Sequence, residues 1–131
     1  MTDAQAPLGA QAGACVLVIE DSFAQLGRVL SILRAAGYDA HGADSWSECR
    51  AALHKLAPVL VLLDINLGGM QGGDLLAIQL KKHPKLLHAR ILFYSAAKES
   101  DLQLMVRRAG ADGYLGPVPI FSRTRARARA R

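Results

Sequence analysis

Three places in this 131-residue chain set acidic or hydroxyl side chains directly after a short apolar run. Glu20 and Asp21 follow residues 16–19, Asp64 follows VLVLL at 59–63, and Ser95 follows residues 90–94. Taken singly, an acidic residue after such a run is most often a solvated loop side chain or a helix cap, and Asp21 could cap a helix beginning near Phe23. Taken together they suggest chemistry. Three carboxylates at one edge repel one another, and the repulsion is relieved by protonation or by a cation. Mg²⁺ is the natural cation, because it takes oxygen ligands, keeps several waters and shares phosphate oxygens. Asp64 would then be a nucleophile toward phosphorus, since an aspartyl phosphate is a known covalent intermediate. Positioning and charge neutralisation would supply the catalysis, with Ser95 hydrogen-bonded to a phosphoryl oxygen.

Convergence requires elements that bring these positions to one edge. The chain alternates short continuous apolar runs with helical periodicity. Residues 16–19 read as a strand. Phe23, Leu26, Leu30 and Leu33 then recur at helical spacing, with Gly37 as a stop signal. Residues 38–41 form a brief strand. Ser45 and Glu48 make a capping-box pattern opening a helix with Trp46, Cys49, Leu53 and Leu56 on one face, which Pro58 ends. VLVLL is the most apolar strand candidate. A glycine-rich loop, NLGGMQGG, leads to a helix over about 74–82, and residues 90–94 read as a fourth strand. Ser100 and Gln103 repeat the capping pattern ahead of Leu102, Met105, Val106 and Ala109, and residues 113–115 give a weak fifth strand. Five strands alternating with four helices predict an α/β doubly wound parallel sheet covered on both faces. Ligands of such sheets bind at the carboxyl ends of the strands, where Glu20, Asp21, Asp64 and Ser95 fall.

Composition removes other classes. The chain carries 16 basic and 11 acidic residues, but five arginines alternate through 123–131, so residues 1–122 hold 11 of each. The basic excess is a property of the tail, which argues against a nucleic-acid partner for the fold. Cys15 and Cys49 stand apart, without a C-x-x-C pair, and His41, His54, His83 and His88 show no ligand spacing, so buried free thiols in a reducing cytosol are expected rather than a zinc site. No apolar run reaches membrane-spanning length, and no membrane partner is expected. Residues 1–13 read as a disordered leader without a charged signal-like start.

Four segments carry a resemblance. VLVIED, LLDINLGGMQGGDLL, ILFYSA and AGADGYL, in this order and at these separations, resemble the receiver domain of two-component response regulators, over about residues 14–117. The resemblance implies a flavodoxin-like sheet of strand order 2-1-3-4-5. It implies that Asp64 is the phosphoacceptor and that Glu20 and Asp21 hold Mg²⁺ with Asp64, Asp21 being the direct ligand of the pair. Asn66 matches the position that lends its backbone carbonyl to the metal. Ser95 matches the switch hydroxyl and Tyr114 the switch aromatic; the alternatives are a capped strand end for Ser95 and a half-buried strand aromatic for Tyr114. The partner implied is a sensor histidine kinase or histidine phosphotransfer protein, and the setting cytoplasmic. Such a domain is a phosphoacceptor rather than an enzyme, beyond self-phosphorylation from small donors and autodephosphorylation.

The sequence departs from that family pattern in three places. Gly68 stands where a proline is usual, loosening the loop after Asp64. The lysine expected before Pro117 is absent, Gly116 being near that position, and Lys98 is the only nearby substitute. Finally, the arginine-rich segment 118–131 cannot supply an apolar fifth helix, so that helix is expected to be missing or atypical. The tail admits three accounts: a disordered arm for an anionic partner, a face covered by a second copy in a homodimer, or an end altered by a shifted frame or truncation. With no output domain after it, the domain is expected to signal through partner binding. Two functions remain open, a phosphoacceptor receiver favoured by the acidic triad and a pseudo-receiver interaction module favoured by the missing lysine. A phosphatase of the haloacid class would need an aspartate where Asn66 stands.

Overall fold

A computed structural model of the chain describes residues 13–64, 72–94 and 99–115. The leader, the tail from residue 116, and the positions Asn66, Gly68, Ser95 and Lys98 lie outside the described residues. Five strands, β1 (Cys15–Ile19), β2 (Asp39–Ala43), β3 (Leu60–Asp64), β4 (Arg90–Tyr94) and β5 (Gly113–Leu115), alternate with four helices. The helices are α1 (Phe23–Ala35), α2 (Trp46–Leu53), α3 (Gly72–Lys81) and α4 (Glu99–Ala109). A 3-10 turn, Pro84–Leu86, follows α3. All strand pairs are parallel, in the order β2-β1-β3-β4-β5.

Strand parity divides the core into two. Leu17, Ile19, Val61, Leu63, Ile91 and Phe93 face one side, where Cys49 and Leu53 of α2, Leu80 of α3 and Leu102 of α4 cover them. Val16, Val18, Leu60, Leu62, Leu92 and Tyr94 face the other side with Val29 and Leu33 of α1. This two-sided burial is why the strands read as continuous apolar runs. α1 lies close over β2. A Cβ added at Gly42 would meet the Leu26 side chain at 2.9 Å and that of Leu30 at 3.1 Å, so a larger residue there would make those leucine side chains shift.

The helix ends follow local chemistry, with some differences from the sequence expectation. Ser22 caps α1, its hydroxyl accepting the Gln25 N–H at 3.3 Å, so Asp21 does not fill the cap. Gly37, at φ 98°, closes α1: its N–H reaches the Arg34 carbonyl while the Tyr38 N–H reaches that of Leu33, both at 3.0 Å. Phe23 is 91% exposed, because it is the first helical residue and lies beyond the end of β1; Val29 takes its place in the buried face. The Ser45 hydroxyl accepts the Glu48 N–H, but the Glu48 carboxylate reaches the N–H of Asp44, one residue before the cap. α3 starts at Gly72, earlier than expected, and α4 at Glu99, which places Ser100 inside the first turn rather than at the cap.

Candidate functional site

β1 and β3 are neighbours, with Ile19 paired to Leu63, so the residues that follow each strand end come together. Glu20 continues the ladder beyond β1, its N–H bonding the Ala43 carbonyl at 3.0 Å. Asp64 is the last residue of β3 and pairs in register with Tyr94 of β4. One ligating oxygen from each of Glu20, Asp21 and Asp64 lies within 4.8 Å of the others. The three differ in setting: Glu20 is buried, Asp64 half-buried and Asp21 exposed.

Glu20 is held at both oxygens. The Ser22 N–H donates to Oε2 at 3.0 Å, and the Tyr94 hydroxyl donates to Oε1 at 2.6 Å. Burial pushes the Glu20 carboxyl up to about 7, with the Asp64 charge adding to the rise; the Tyr94 hydroxyl and the Ser22 N–H act against it. Burial, followed by the bond to Glu20 and the charges of the nearby carboxylates, drives the Tyr94 phenol far above its ordinary range. Tyr94 therefore stays protonated and acts as a donor. No buried side-chain nitrogen or oxygen among the described residues lacks a hydrogen-bond partner.

Tyr94 is the residue that sequence reasoning missed. It was readable only as the end of an apolar strand, yet two signals were present. A phenol buried on a doubly covered strand needs a hydrogen-bond partner. Parity also places residue 94 on the same face as residues 20 and 64.

The remaining expected site residues divide. Tyr114 lies half-buried on β5 against the α2–α4 side of the core, and its hydroxyl accepts from Gln103 Nε2 at 3.3 Å. Asn66 and Ser95 lie outside the described residues, as do Gly116 and Pro117. In the AGADGYL segment, Gly110 is the left-handed residue after α4, at φ 72°. The Asp112 carboxylate accepts the Ile91 N–H at 2.7 Å and Lys81 Nζ at 3.1 Å, so it ties β4 to α3 and the β5 approach.

The donor set is all oxygen, with one buried carboxylate whose charge is disfavoured and one exposed carboxylate open to solvent. That chemistry fits a hard divalent cation that keeps water ligands. No helix among the described residues is long and apolar enough to cross a membrane.

Comparison with known proteins identifies the family and the fold. The family model for the response regulator receiver domain matches residues 16–116. The phosphate regulon transcriptional regulatory protein PhoB of Pseudomonas aeruginosa is 28% identical over 103 residues, which are 79% of this chain and 44% of that protein. An uncharacterized 76.5 kDa protein of Thiocystis violacea is 29% identical over 100 residues, 76% of this chain and 14% of its own length. The chain thus spans less than half the length of these curated relatives. Among solved structures, NtrX from Brucella abortus superposes with a TM-score of 0.68 at 28% identity, covering 90% of this chain and 27% of that one. Chemotaxis protein CheY4 of Vibrio cholerae gives a TM-score of 0.71 at 23% identity, covering 90% and 98%, a likeness of fold. With a parallel 2-1-3-4-5 sheet, an acidic cluster at its carboxyl edge and a family match over most of its length, the chain belongs to the response regulator receiver domain family.

Proposed function

We propose that residues 14–117 form a phosphoacceptor receiver in which Asp64 takes a phosphoryl group from a phosphohistidine. The observation that carries this reading is the meeting of Glu20, Asp21 and Asp64 within 4.8 Å at the carboxyl edge of the sheet. Receiver domains of this family work with histidine kinases or histidine phosphotransfer proteins, and the donor here is a cytoplasmic protein of that kind. A carboxylate oxygen of Asp64 attacks phosphorus, the P–N bond to the imidazole breaks, and the imidazole leaves with its electron pair and takes up a proton. Glu20, Asp21, Asp64 and the backbone carbonyl of Asn66 would hold Mg²⁺, which when bound would supply charge neutralisation to the phosphoryl oxygens.

The chain's own residues do the rest. β3 fixes the carboxylate at the edge, and Ser22 and Tyr94 orient Glu20 so that its charge is available when a cation enters. Ser95, at the switch-hydroxyl position, would move toward the phosphoryl group, and the Tyr114 ring would turn inward with it and carry the change to the surface of α4 and β5. Without a lysine near Gly116 the phosphoryl group loses one cationic contact, so transfer persists while the switch is weakly coupled. The arginine-rich segment 118–131 lies outside this chemistry.

Incubation with acetyl phosphate and Mg²⁺, read by intact mass, tests the proposal. A phosphoryl adduct is expected on the wild-type chain and none on Asp64→Asn. An unmodified wild-type chain, behaving identically to Asp64→Asn with beryllofluoride as well, would instead support an interaction module that keeps the fold without the phosphoacceptor.

A further inference from the structure

A second group of ligating side chains lies on β1 and β2 away from the acidic edge. Cys15 opens β1 and pairs in register with Asp39, which opens β2, while His41 stands two residues further along β2. Residues two apart on a strand share a face, so Asp39 and His41 project to the same side, and the register sets Cys15 beside them. The Cys15 Sγ, one Asp39 carboxylate oxygen and one His41 ring nitrogen all lie within 4.8 Å of one another. His41 Nε2 is already 2.9 Å from Asp39 Oδ1.

We propose that Cys15, Asp39 and His41 form a binding site for a divalent transition-metal ion of the zinc class. Thiolate, imidazole and carboxylate are the ligand types of such ions, and a set containing sulfur and nitrogen discriminates against Mg²⁺. In tetrahedral zinc geometry, with bonds of about 2.0–2.3 Å, nitrogen, oxygen and sulfur ligand atoms sit about 3.3–3.6 Å apart. The three ligand atoms, all within 4.8 Å of one another, would need to adjust to that spacing by side-chain rotation. The Asp39 and His41 side chains are 58% and 37% exposed, which leaves them room to turn. Three protein ligands leave a fourth position for water or a further ligand, and partial exposure provides a route in.

The backbone is favourable too. All three ligands stand on paired strands rather than loops, so the spacing of their backbones is set before a metal arrives and only the side chains adjust. β2 is the edge of the sheet, and a metal shared between it and β1 would pin that edge. Burial, with the Asp39 charge, pushes the Cys15 thiol up, so binding displaces a proton from sulfur to solvent as the metal–sulfur bond forms. Cys49 stands apart from this chemistry, fully buried, with burial pushing its thiol up to about 11. Sequence spacing hides the trio because its ligands come from two strands and no two of them make a metal-binding motif.

This inference is independent of phosphoryl transfer. It is tested with the whole chain in excess Mg²⁺, which fills the acidic edge, by titrating Co²⁺ as a spectroscopic probe and Zn²⁺ as competitor. A thiolate-to-cobalt charge-transfer band at one equivalent, displaced by Zn²⁺, is expected. The band should vanish in Cys15→Ser, persist in Cys49→Ser, and require at least about tenfold more cobalt in His41→Gln. A wild-type chain without the band, or a Cys15→Ser chain that keeps it, overturns the proposal. A measurement on the unmutated chain guards against misfolded variants: Zn²⁺ should slow alkylation of the accessible thiol at least about tenfold, and an unchanged rate overturns the site equally.

Discussion

The first strand carries a ligand set at each end, and the two are built on opposite terms. At the carboxyl end, Glu20 is 2% exposed, its oxygens are engaged by Ser22 and Tyr94, and Asp64 lies beside it. At the amino end, Cys15, Asp39 and His41 offer sulfur, oxygen and nitrogen from a half-exposed surface. Parallel register and strand parity assemble both groups, so topology alone does not distinguish them. Solvent does. The buried Glu20 carboxylate beside Asp64 keeps its charge only at a cost, which a proton or a hard cation would relieve. The amino end pays little for its metal-free state, because water screens the Asp39–His41 pair. One buried carboxylate, Glu20, thus makes the carboxyl end depend on a proton or a cation in a way that the half-exposed amino end does not.

The largest effects come from removing a ligand at one end and reading both. Asp21→Asn should weaken Mg²⁺ binding at least about tenfold in isothermal titration calorimetry, while leaving the cobalt spectrum of the amino end unchanged. Cys15→Ser should do the converse. Cys15 and Glu20 are separated by about 16 Å of extended strand, beyond the range at which substitutions usually couple. If either variant moves both titrations, the two ends form one coupled system and the contrast between them fails.

Next is the pH dependence of stability in chelator. The folded-state value for Glu20, about 7, is raised above its ordinary 4.5. The folded chain therefore holds a proton that the unfolded chain has released, and the resulting stability is fully present below about 4.5 and lost as pH rises through about 7. Urea midpoints should fall across that window in the wild-type chain. Glu20→Gln should flatten the slope, and saturating Mg²⁺ should restore stability at the upper end. A wild-type midpoint that rises through the same window would contradict the placement of a buried, disfavoured charge at Glu20.

Much of this was legible from residue order. The alternation of apolar runs and helical faces, and the position of Glu20, Asp21 and Asp64 after strand ends, are local patterns, and a doubly wound sheet turns them into one edge. What was hidden depended on which face each residue meets. Phe23 fits the periodicity of α1 but stands past the end of β1, so it is exposed while Val29 is buried. Glu48 belongs to the capping pattern, yet its carboxylate chooses the Asp44 N–H. Asp112 looked like part of a family segment and is a fastening between β4 and α3. Tyr94 and the trio at Cys15 are cross-strand relations, which no window along one strand contains.

Tyr94→Phe probes the carboxyl end more gently. The substitution keeps the ring among Val18, Leu62 and Leu92 and removes the hydroxyl that donates to Glu20 Oε1. Losing one hydrogen bond to a group that must become charged should cost about tenfold in Mg²⁺ affinity. It should also push the Glu20 carboxyl further up, moving the fall in metal-free stability to higher pH. An unchanged affinity with an unchanged pH profile would make Tyr94 a packing residue only.

The smallest effect belongs to the other end. In chelator, Asp39→Asn alters the side-chain contact with His41 at 2.9 Å, but both side chains are well exposed. Exposed pairs contribute about 0–1 kcal/mol, so the urea midpoint should scarcely move. With Zn²⁺ present the same substitution removes a ligand, and the metal-induced rise in midpoint should shrink markedly. That difference between the two conditions separates a surface ion pair from a metal ligand. A substitution equally mild with and without Zn²⁺ would reduce Asp39 to a partner of His41, and the contrast between the ends of β1 would then be one between a site and a patch of surface.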